Sequence, residues 1–515
     1  MKNELKAGVI LSYLALFINS IISIIYTPIM LKFIGQSEYG LYSLATSAIG
    51  YVGVLNFGLG NAVIRYTAKY KALKDEETCS NLYGMFCIIY GALGCIALIL
   101  GGILTFYSNS LFTNALNVNE LLKLKVLMGI MTLNISIGIG MGFFSVVVLA
   151  YEKFIFQKLL GLFSSILIPT IMLPFLLMGY ASITMAIVTT IINLLIIIVN
   201  IYYCLRKLKL KISFKKFDTN LLKEITVFSA FILINLIIDK IYWSTDQIIL
   251  GIYSGTVAVS IYSIGATFSG YFSGFSTAIS NVFLSKVTRM TTNETSEKEI
   301  SDLFIRVGRV QYIIISYALS GFISLGNEFI NLWVGDEYHS SYIIALVIII
   351  PMIIPLIQSM GGIILQARNM QTFKSILYLI IAIANVFLSV ILVKKWGPLG
   401  CAIATGVAFI LGNVIIMNFY YWWKIKIDIP RFWKNILSMS FPLAISIFFG
   451  VKFNKVISSE NWYIFGGKVI VFSILYIVSL WYIGMNRYEK ELIKVPIKKI
   501  IYKLRKSRHY EVAKN

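Results

Sequence analysis

Charge is scarce in this sequence. Only 13% of its 515 residues are Asp, Glu, Lys or Arg, about half the roughly 25% of a soluble globular chain. Histidine is nearly absent, and His339 and His509 have no ligand-type partner beside them. The five cysteines, Cys79, Cys87, Cys95, Cys204 and Cys401, show no CxxC spacing and mostly fall in apolar runs. They read as small core residues, which excludes a disulfide or metal framework. A phosphate-binding GxxxxGK[ST] loop is missing too. Gly466-Gly467-Lys468 lacks the first glycine and lies in an apolar run, so no nucleotide hydrolysis is encoded. There is no HExxH and no Ser/His/Asp set. Long polar loops are also lacking: the longest, around 108–123 and 451–462, leave no room for a soluble domain. A membrane glycosyl-transferring enzyme would need acids at a wet surface and usually a sizeable soluble loop. The chain reads as a non-enzyme without a resident metal or cofactor.

What it has is hydrocarbon. Mean hydropathy is +0.82 and 58% of residues are hydrophobic. Backbone polar groups in lipid must be satisfied within each segment, so helices are expected. The alternating ten-residue pattern of a transmembrane β-barrel is absent. Fourteen apolar segments run over about 8–31, 40–64, 81–107, 124–150, 159–178, 181–204, 227–251, 256–284, 308–331, 341–366, 375–393, 398–421, 436–450 and 463–484. Most are long enough to cross a bilayer, which takes about 20 residues; 436–450 is short. The first has no small-residue cleavage site and reads as a retained helix rather than a signal peptide. The expectation is an all-α polytopic membrane protein.

The formal charge of +22 suggests nucleic acid until its placement is examined. With an inside N-terminus, 36 Lys and Arg fall in inside segments, eight fall outside and Lys240 is left in the membrane. That bias fits the positive-inside rule and puts both termini in the cytoplasm. The tail from Arg487 to Lys514 is then a topology signal that also attracts anionic lipid. No nucleic-acid partner is implied.

Shifting the chain by 220 residues reveals a repeat. Gly35 falls on Gly255, Tyr42 on Tyr262, Ser43 on Ser263, Gly50 on Gly270, Tyr51 on Tyr271 and Asn61 on Asn281. Six helices precede the second copy, so both copies enter the membrane in the same direction, a parallel repeat. The expected organisation is a six-helix bundle with a basic cytoplasmic linker over 1–223, a second six-helix bundle over 224–434, two added helices over 435–485 and the basic tail 486–515.

The seventh segment stands out. Its middle carries Asp239, Lys240 and Asp246, and a charge at helix centre costs about 2.5–3.5 kcal/mol on insertion scales. Asp239, Trp243 and Asp246 share one stripe at i, i+4, i+7; Lys240, Ser244 and Gln247 form the next. The segment either lines a wet groove or holds a structural Asp–Lys cluster. Under the repeat, Asn19 meets Asp239 and Tyr26 meets Asp246, so the helix-1 face Ser12, Asn19, Ser23 and Tyr26 is its expected partner. Asn61 and Arg65 end the second helix; Arg65 either snorkels to the surface or binds an anion at a cavity mouth. Arg306 and Arg309 lie just before helix nine, and Gln366 and Arg368 end helix ten. Ser269, Ser273, Ser276 and Ser280 form a stripe that suits close helix packing. Pro351 and Pro355 allow a bend.

Gly35-Gln36-Ser37-Glu38-Tyr39-Gly40-Leu41-Tyr42, then Asn56-Phe57-Gly58-Leu59-Gly60 with Arg65, resembles the polysaccharide-biosynthesis flippases. These are the O-antigen and capsule repeat-unit exporters of the multidrug/oligosaccharidyl-lipid/polysaccharide superfamily. Asp246-Gln247-Ile248-Ile249-Leu250-Gly251 and Asn331-Leu332-Trp333-Val334-Gly335-Asp336-Glu337-Tyr338 look like two further motifs of that family. The resemblance covers roughly residues 8–420. It implies two bundles around a central cavity, alternating access, and a polyprenyl-pyrophosphate-linked oligosaccharide as cargo. It implies export from the inner to the outer leaflet of a bacterial or archaeal plasma membrane, alongside a polymerase and glycosyltransferases as partners. On that reading Lys240 meets the diphosphate, with Arg65, Arg306 and Arg368 near the cytoplasmic mouth. Asn19, Asn61, Asn281 and the aromatics Tyr26, Tyr242, Trp243 and Tyr271 would serve the sugars. Asp239 or Asp246 would take Na+ or a proton. The alternative from the same fold is an ion-coupled multidrug exporter; outside transport, an assembly scaffold.

Overall fold

The computed structural model describes residues 2–492 and 494–495, apart from 57, 216, 218, 293–295 and 458–460. Side chains of 2–10, 12, 13, 220, 226–228, 230, 231, 281, 282, 284, 285, 291 and 292 are also outside the description. Every regular element among the described residues is helical. In order they are α1 Lys2–Gly50, α2 Leu59–Ala72, α3 Glu76–Phe112, α4 Val118–Ala150, α5 Phe154–Leu177, α6 Ser182–Tyr202, α7 Thr219–Tyr253, α8 Gly255–Thr292, α9 Glu297–Val334, α10 His339–Ile357, α11 Ser359–Ala367, α12 Gln371–Phe409, α13 Met417–Trp423, α14 Ile429–Val456 and α15 Trp462–Ser479. Ten stretches of the described residues are helices long and apolar enough to cross a membrane.

Several elements bend or break. The 49-residue α1 turns at Gly35, whose φ of 76° and ψ of 172° suit glycine alone. That turn separates the apolar segments 8–31 and 40–64. In the same way α12 bends at Gly397, and Pro398 restarts the helix. The second apolar segment is not continuous, as the sequence had suggested. After Gly50 it tightens into a 3₁₀ turn over Val52–Asn56. It then passes through Gly58 at φ 62° before α2 begins. Gly58 is left-handed, and a Cβ there would lie 2.4 Å from Ile232, so this close approach to α7 requires glycine. α10, carrying Pro351 and Pro355, stops at Ile357, and α11 resumes after Gln358.

Two compact units emerge. Unit 1 holds residues 1–268, 343–348 and 372–412; unit 2 holds 269–342, 349–371 and 413–515. These boundaries differ from the cut at 223 read from the repeat. The reason is that α7 packs on the end of α1: Gly251 sits against Leu44, Gln247 bonds Ser47, and Lys240 lies beside Gly50. The core of unit 1 gathers Tyr83, Phe86, Tyr90, Phe143 and Val147 between α3 and α4. There the helices approach closely, since a Cβ on Gly94 would come within 2.8 Å of the Gly140 Cα. The linker after α6 is clipped to α3. Ser213 N donates to Ser80 O at 3.1 Å, and a Cβ on Gly84 would meet Ser213 O at 2.0 Å.

In unit 2, α9 is the centre. Arg309, 5% exposed, donates to both Glu489 oxygens and to the carbonyls of Asn435 and Gly484. Lys468 bonds Glu328 at 2.9 Å and Asn454 at 2.7 Å. Both charges are fully engaged, the condition under which buried ions are tolerated. The serine stripe of α8 packs as expected. Ser276 donates to Leu356 O, and Gln311 donates to Ser280 and Ser359.

Candidate functional site: the charged face of α7

Asp246 is 2% exposed. Its carboxylate accepts from Tyr262 Oη at 2.5 Å, Ser389 Oγ at 2.9 Å and Thr405 Oγ1 at 2.7 Å. Thr405 also accepts from Asn385 Nδ2 at 3.3 Å, and Asn385 Oδ1 is buried without a partner. α7, α8 and α12 thus wall the acid with oxygen atoms. The stripe that Asp239, Trp243 and Asp246 share is not uniformly exposed. Asp239 and Trp243 are exposed while Asp246 is enclosed, because the hydroxyls of α8 and α12 close over its end of the stripe.

Lys240 is half-buried. A Cβ on Gly50 would lie 3.0 Å from its Nζ, so the ammonium rests over the glycine. Tyr51 Oη donates to Lys240 O at 3.3 Å and pairs with Thr245 Oγ1. Ser47 near the end of α1 and Tyr51 just after it thus bond α7. Ser12 lies outside the described side chains. Asn19 is exposed on α1, and Tyr26 is half-buried with its hydroxyl unpartnered. Tyr242 stacks on Phe409 at 5.6 Å, and Trp243 leans on the same ring at 6.4 Å.

A second cation, Lys374 at the start of α12, interacts electrostatically with Asp239. Next to it, Ser375 Oγ donates to Asn235 Oδ1 at 3.2 Å. Lys374 was missed because it precedes the apolar segment 375–393 and counted as a boundary charge. Asn385, Ser389 and Thr405 were missed because single polar residues in apolar runs read as packing groups. Their signal was that all three fall in segments eleven and twelve.

The remaining candidates scatter. Arg65 and Asn61 are exposed on α2, and the Arg65 guanidinium lies 5.8 Å from the Tyr66 ring. Arg306 is exposed and covers the Tyr488 ring at 4.7 Å. Arg368 donates to Ile425 O at 3.0 Å and lies 3.9 Å from Glu297. The Asn281 side chain lies outside the described residues. Unit 1 therefore gathers Lys240, Lys374, Asp239 and Asp246 on or against α7, while Arg306 and Arg368 belong to unit 2.

Around the Gly35 turn of α1 and the start of α4, a separate polar cluster joins α1, α4, α6 and α8. Ser37 and Thr256 each donate to Glu120 at 2.7 Å, while Lys123 and Ser182 bond Glu38. Burial pushes both carboxyls up, but these bonds outweigh it and hold Glu38 and Glu120 below the usual glutamate value.

A many-helix membrane bundle with ionisable groups held at depth on one helix has the make-up of a transporter. The chain belongs to the polysaccharide biosynthesis protein family, whose model matches residues 5–284. It is 21% identical over 395 residues to a Shigella flexneri protein named "Putative O-antigen transporter", covering 75% of this chain and 90% of that one. Among solved structures it resembles the lipid II flippase MurJ in an inward closed conformation. The TM-score is 0.73 at 19% identity, over 91% of this chain and 98% of that one. It also resembles an inward-facing multidrug resistance MATE transporter of the MOP superfamily. There the TM-score is 0.62 at 15% identity, over 80% of this chain and 99% of that one. These likenesses show a fold shared with MurJ and with a MATE transporter.

Proposed function

We propose that this protein flips a polyprenyl-pyrophosphate-linked oligosaccharide from the inner to the outer leaflet of the plasma membrane by alternating access. The chain would cross the membrane fourteen times with both termini in the cytoplasm. The observation that carries the reading is the pair of cations, Lys240 on α7 and Lys374 of α12 near Asp239, in a chain of the polysaccharide family. A pyrophosphate needs positive charge at its depth in the bilayer, and these two offer it. The sugar head cannot cross about 30 Å of hydrocarbon unaided. The lipid tail would stay in the bilayer throughout.

No nucleotide site is required. An anion leaving a negative interior gains about 2.3 kcal/mol per charge per 100 mV, hence roughly 4.6 kcal/mol for two charges. Asp246 offers a second source of drive. A hard cation such as Na+ prefers oxygen ligands, and the carboxylate, the three hydroxyls and the unpartnered Asn385 oxygen fit it. A proton on the carboxylate is the other occupant of the same site. Asp239, exposed and facing Lys374, suits charge balance in the groove better than ion binding.

The test is flipping of a lipid-linked oligosaccharide in vesicles holding the purified protein, with the potential, the Na+ gradient and the pH gradient collapsed one at a time. Lys240→Met should slow flipping roughly 10–100-fold, the equivalent of losing one charged hydrogen bond of about 1.5–3 kcal/mol. Asp246→Asn should abolish the dependence on one ion gradient. If Asp246→Asn keeps that dependence intact, the ion site lies elsewhere. If the vesicles accumulate a cationic dye and never flip the lipid, the drug-exporter reading takes over.

A further inference from the structure

Unit 1 contains a cavity of about 570 Å³ between the broken second span, α4, α5 and α6. That volume is within the roughly 300–1,000 Å³ of small-ligand sites. Its polar lining is mostly amides, Asn56, Asn134, Gln157, Asn193 and Asn200, with Ser145 and Ser164. None of its lining residues carries a charge. We propose that this cavity is a subsite for the uncharged sugar residues of the head group, a proposal that rests on the flippase reading above.

Three observations point to a ligand rather than to packing. First, Tyr90 is among the lining residues, is 1% exposed, and its buried hydroxyl has no protein partner. A buried hydroxyl left unpaired costs free energy, so the wall of the cavity is under-satisfied as it stands. Secondly, the amides are tethered but not used up. Asn193 Nδ2 donates to Asn134 Oδ1 at 3.2 Å, and Gln157 Nε2 donates to Asn200 Oδ1 and Ser145 O. The Asn134 nitrogen, the Asn193 oxygen and the Gln157 oxygen make no protein hydrogen bond among the described residues. Each amide is thus held in place with donor or acceptor capacity to spare. Thirdly, the chain interrupts a membrane helix beside the cavity, at Val52–Asn56 and Gly58. Irregular backbone at that depth is tolerated where it is buried in protein or lines a water-filled space.

The lining selects the ligand class. Without a cation it does not suit a pyrophosphate, and without an acid it does not suit a cationic drug. Mixed donors and acceptors beside an aromatic ring fit a neutral, hydroxyl-rich molecule. Asn134 and Ser145 are eleven residues apart on α4, about 16 Å at 1.5 Å per residue. The cavity is therefore elongated along the helices. Gly138 and Gly161 leave it roomy, because a Cβ on either would meet nothing within 4 Å.

The experiment compares two lipids on the purified full chain in nanodiscs: polyprenyl pyrophosphate bare, and the same lipid carrying a neutral disaccharide. The wild type should bind the glycosylated lipid more tightly. Asn193→Leu, which removes an amide, and Gly161→Trp, which fills the cavity and leaves the amides in place, should each erase most of that preference, roughly tenfold. Affinity for the bare lipid should hold in both, which also reports that they are folded. Variants that keep the full preference overturn the subsite, as does a wild type that binds both lipids equally while still flipping them. A wild type that binds neither lipid overturns the flippase reading itself. Competition by the free disaccharide separates a soluble sugar site, where the free sugar displaces the lipid, from the head-group subsite, where it does not at equal concentration.

Discussion

Arg309 illustrates how this chain manages charge inside an apolar body. Four of its five donors are met, by a bidentate carboxylate and two carbonyls, so the guanidinium is buried without being orphaned. Removing one partner of such a pair typically costs about 3–5 kcal/mol, whereas replacing both with apolar groups is often neutral. Glu489→Gln should therefore lower the melting temperature markedly, and Arg309→Met combined with Glu489→Met should recover most of the loss. A double variant no more stable than the single one would mean that the carbonyl contacts matter more than the pair. Glu38 makes a pH-dependent contribution of the same kind. Its folded pKa is lowered, so its stabilisation is complete above the unfolded value of about 4.5 and is lost as pH falls through the folded value. The melting-temperature gap between wild type and Glu38→Gln should be full at pH 7 and close below pH 4.5.

At the scale of elements, close approach and breaks decide more than propensity. A Cβ on Gly40 would stand 1.9 Å from the Thr256 carbonyl oxygen, so Gly40→Ala must push α1 away from the start of α8. Overpacking of this kind costs about 1–3 kcal/mol, and thermal denaturation of that variant in detergent should show it. Gly91, around which a Cβ meets nothing within 4 Å, is the matched control and should tolerate alanine. The elements were largely legible beforehand. The gaps between the apolar runs 8–31 and 40–64, and 375–393 and 398–421, fall where α1 turns at Gly35 and α12 bends at Gly397, because span length is a local property. The break at Val52–Asn56 was not legible. Its residues are as apolar as a continuous helix, and only packing against Ile232 reveals what Gly58 does. The site was half legible for the same reason. Charges in the middle of an apolar run advertise themselves, so Lys240, Asp239 and Asp246 stood out. Ser389, Thr405 and Asn385 become meaningful only once α12 is brought against α7.

For the whole molecule, the charge asymmetry makes a topology prediction. Reporter domains fused after residues 74, 211, 370, 426 and 490 should remain in the cytoplasm, and fusions after 116 and 455 should be exported. A single cytoplasmic-type fusion found outside would shift the span count and undo the parallel arrangement of the repeat. The loops sampled are short enough for the positive-inside rule to govern them. Every expected inside loop in this set carries at least two Lys or Arg.

The clip between the basic linker and α3 has a consequence for how the gene could be divided. Ser213 is held by a backbone bond to Ser80 and by contact with Gly84; the neighbouring Lys211–Glu76 pair is solvent-exposed and adds little. A chain severed just beyond it, near residue 217, would release a first fragment whose trailing end is already fastened to its own body. Two open reading frames split at that point and expressed together should reconstitute an active protein, whereas a split before Ser213 would leave the end loose and should fail. The sequence halves would then be separable as molecules as well as comparable as texts.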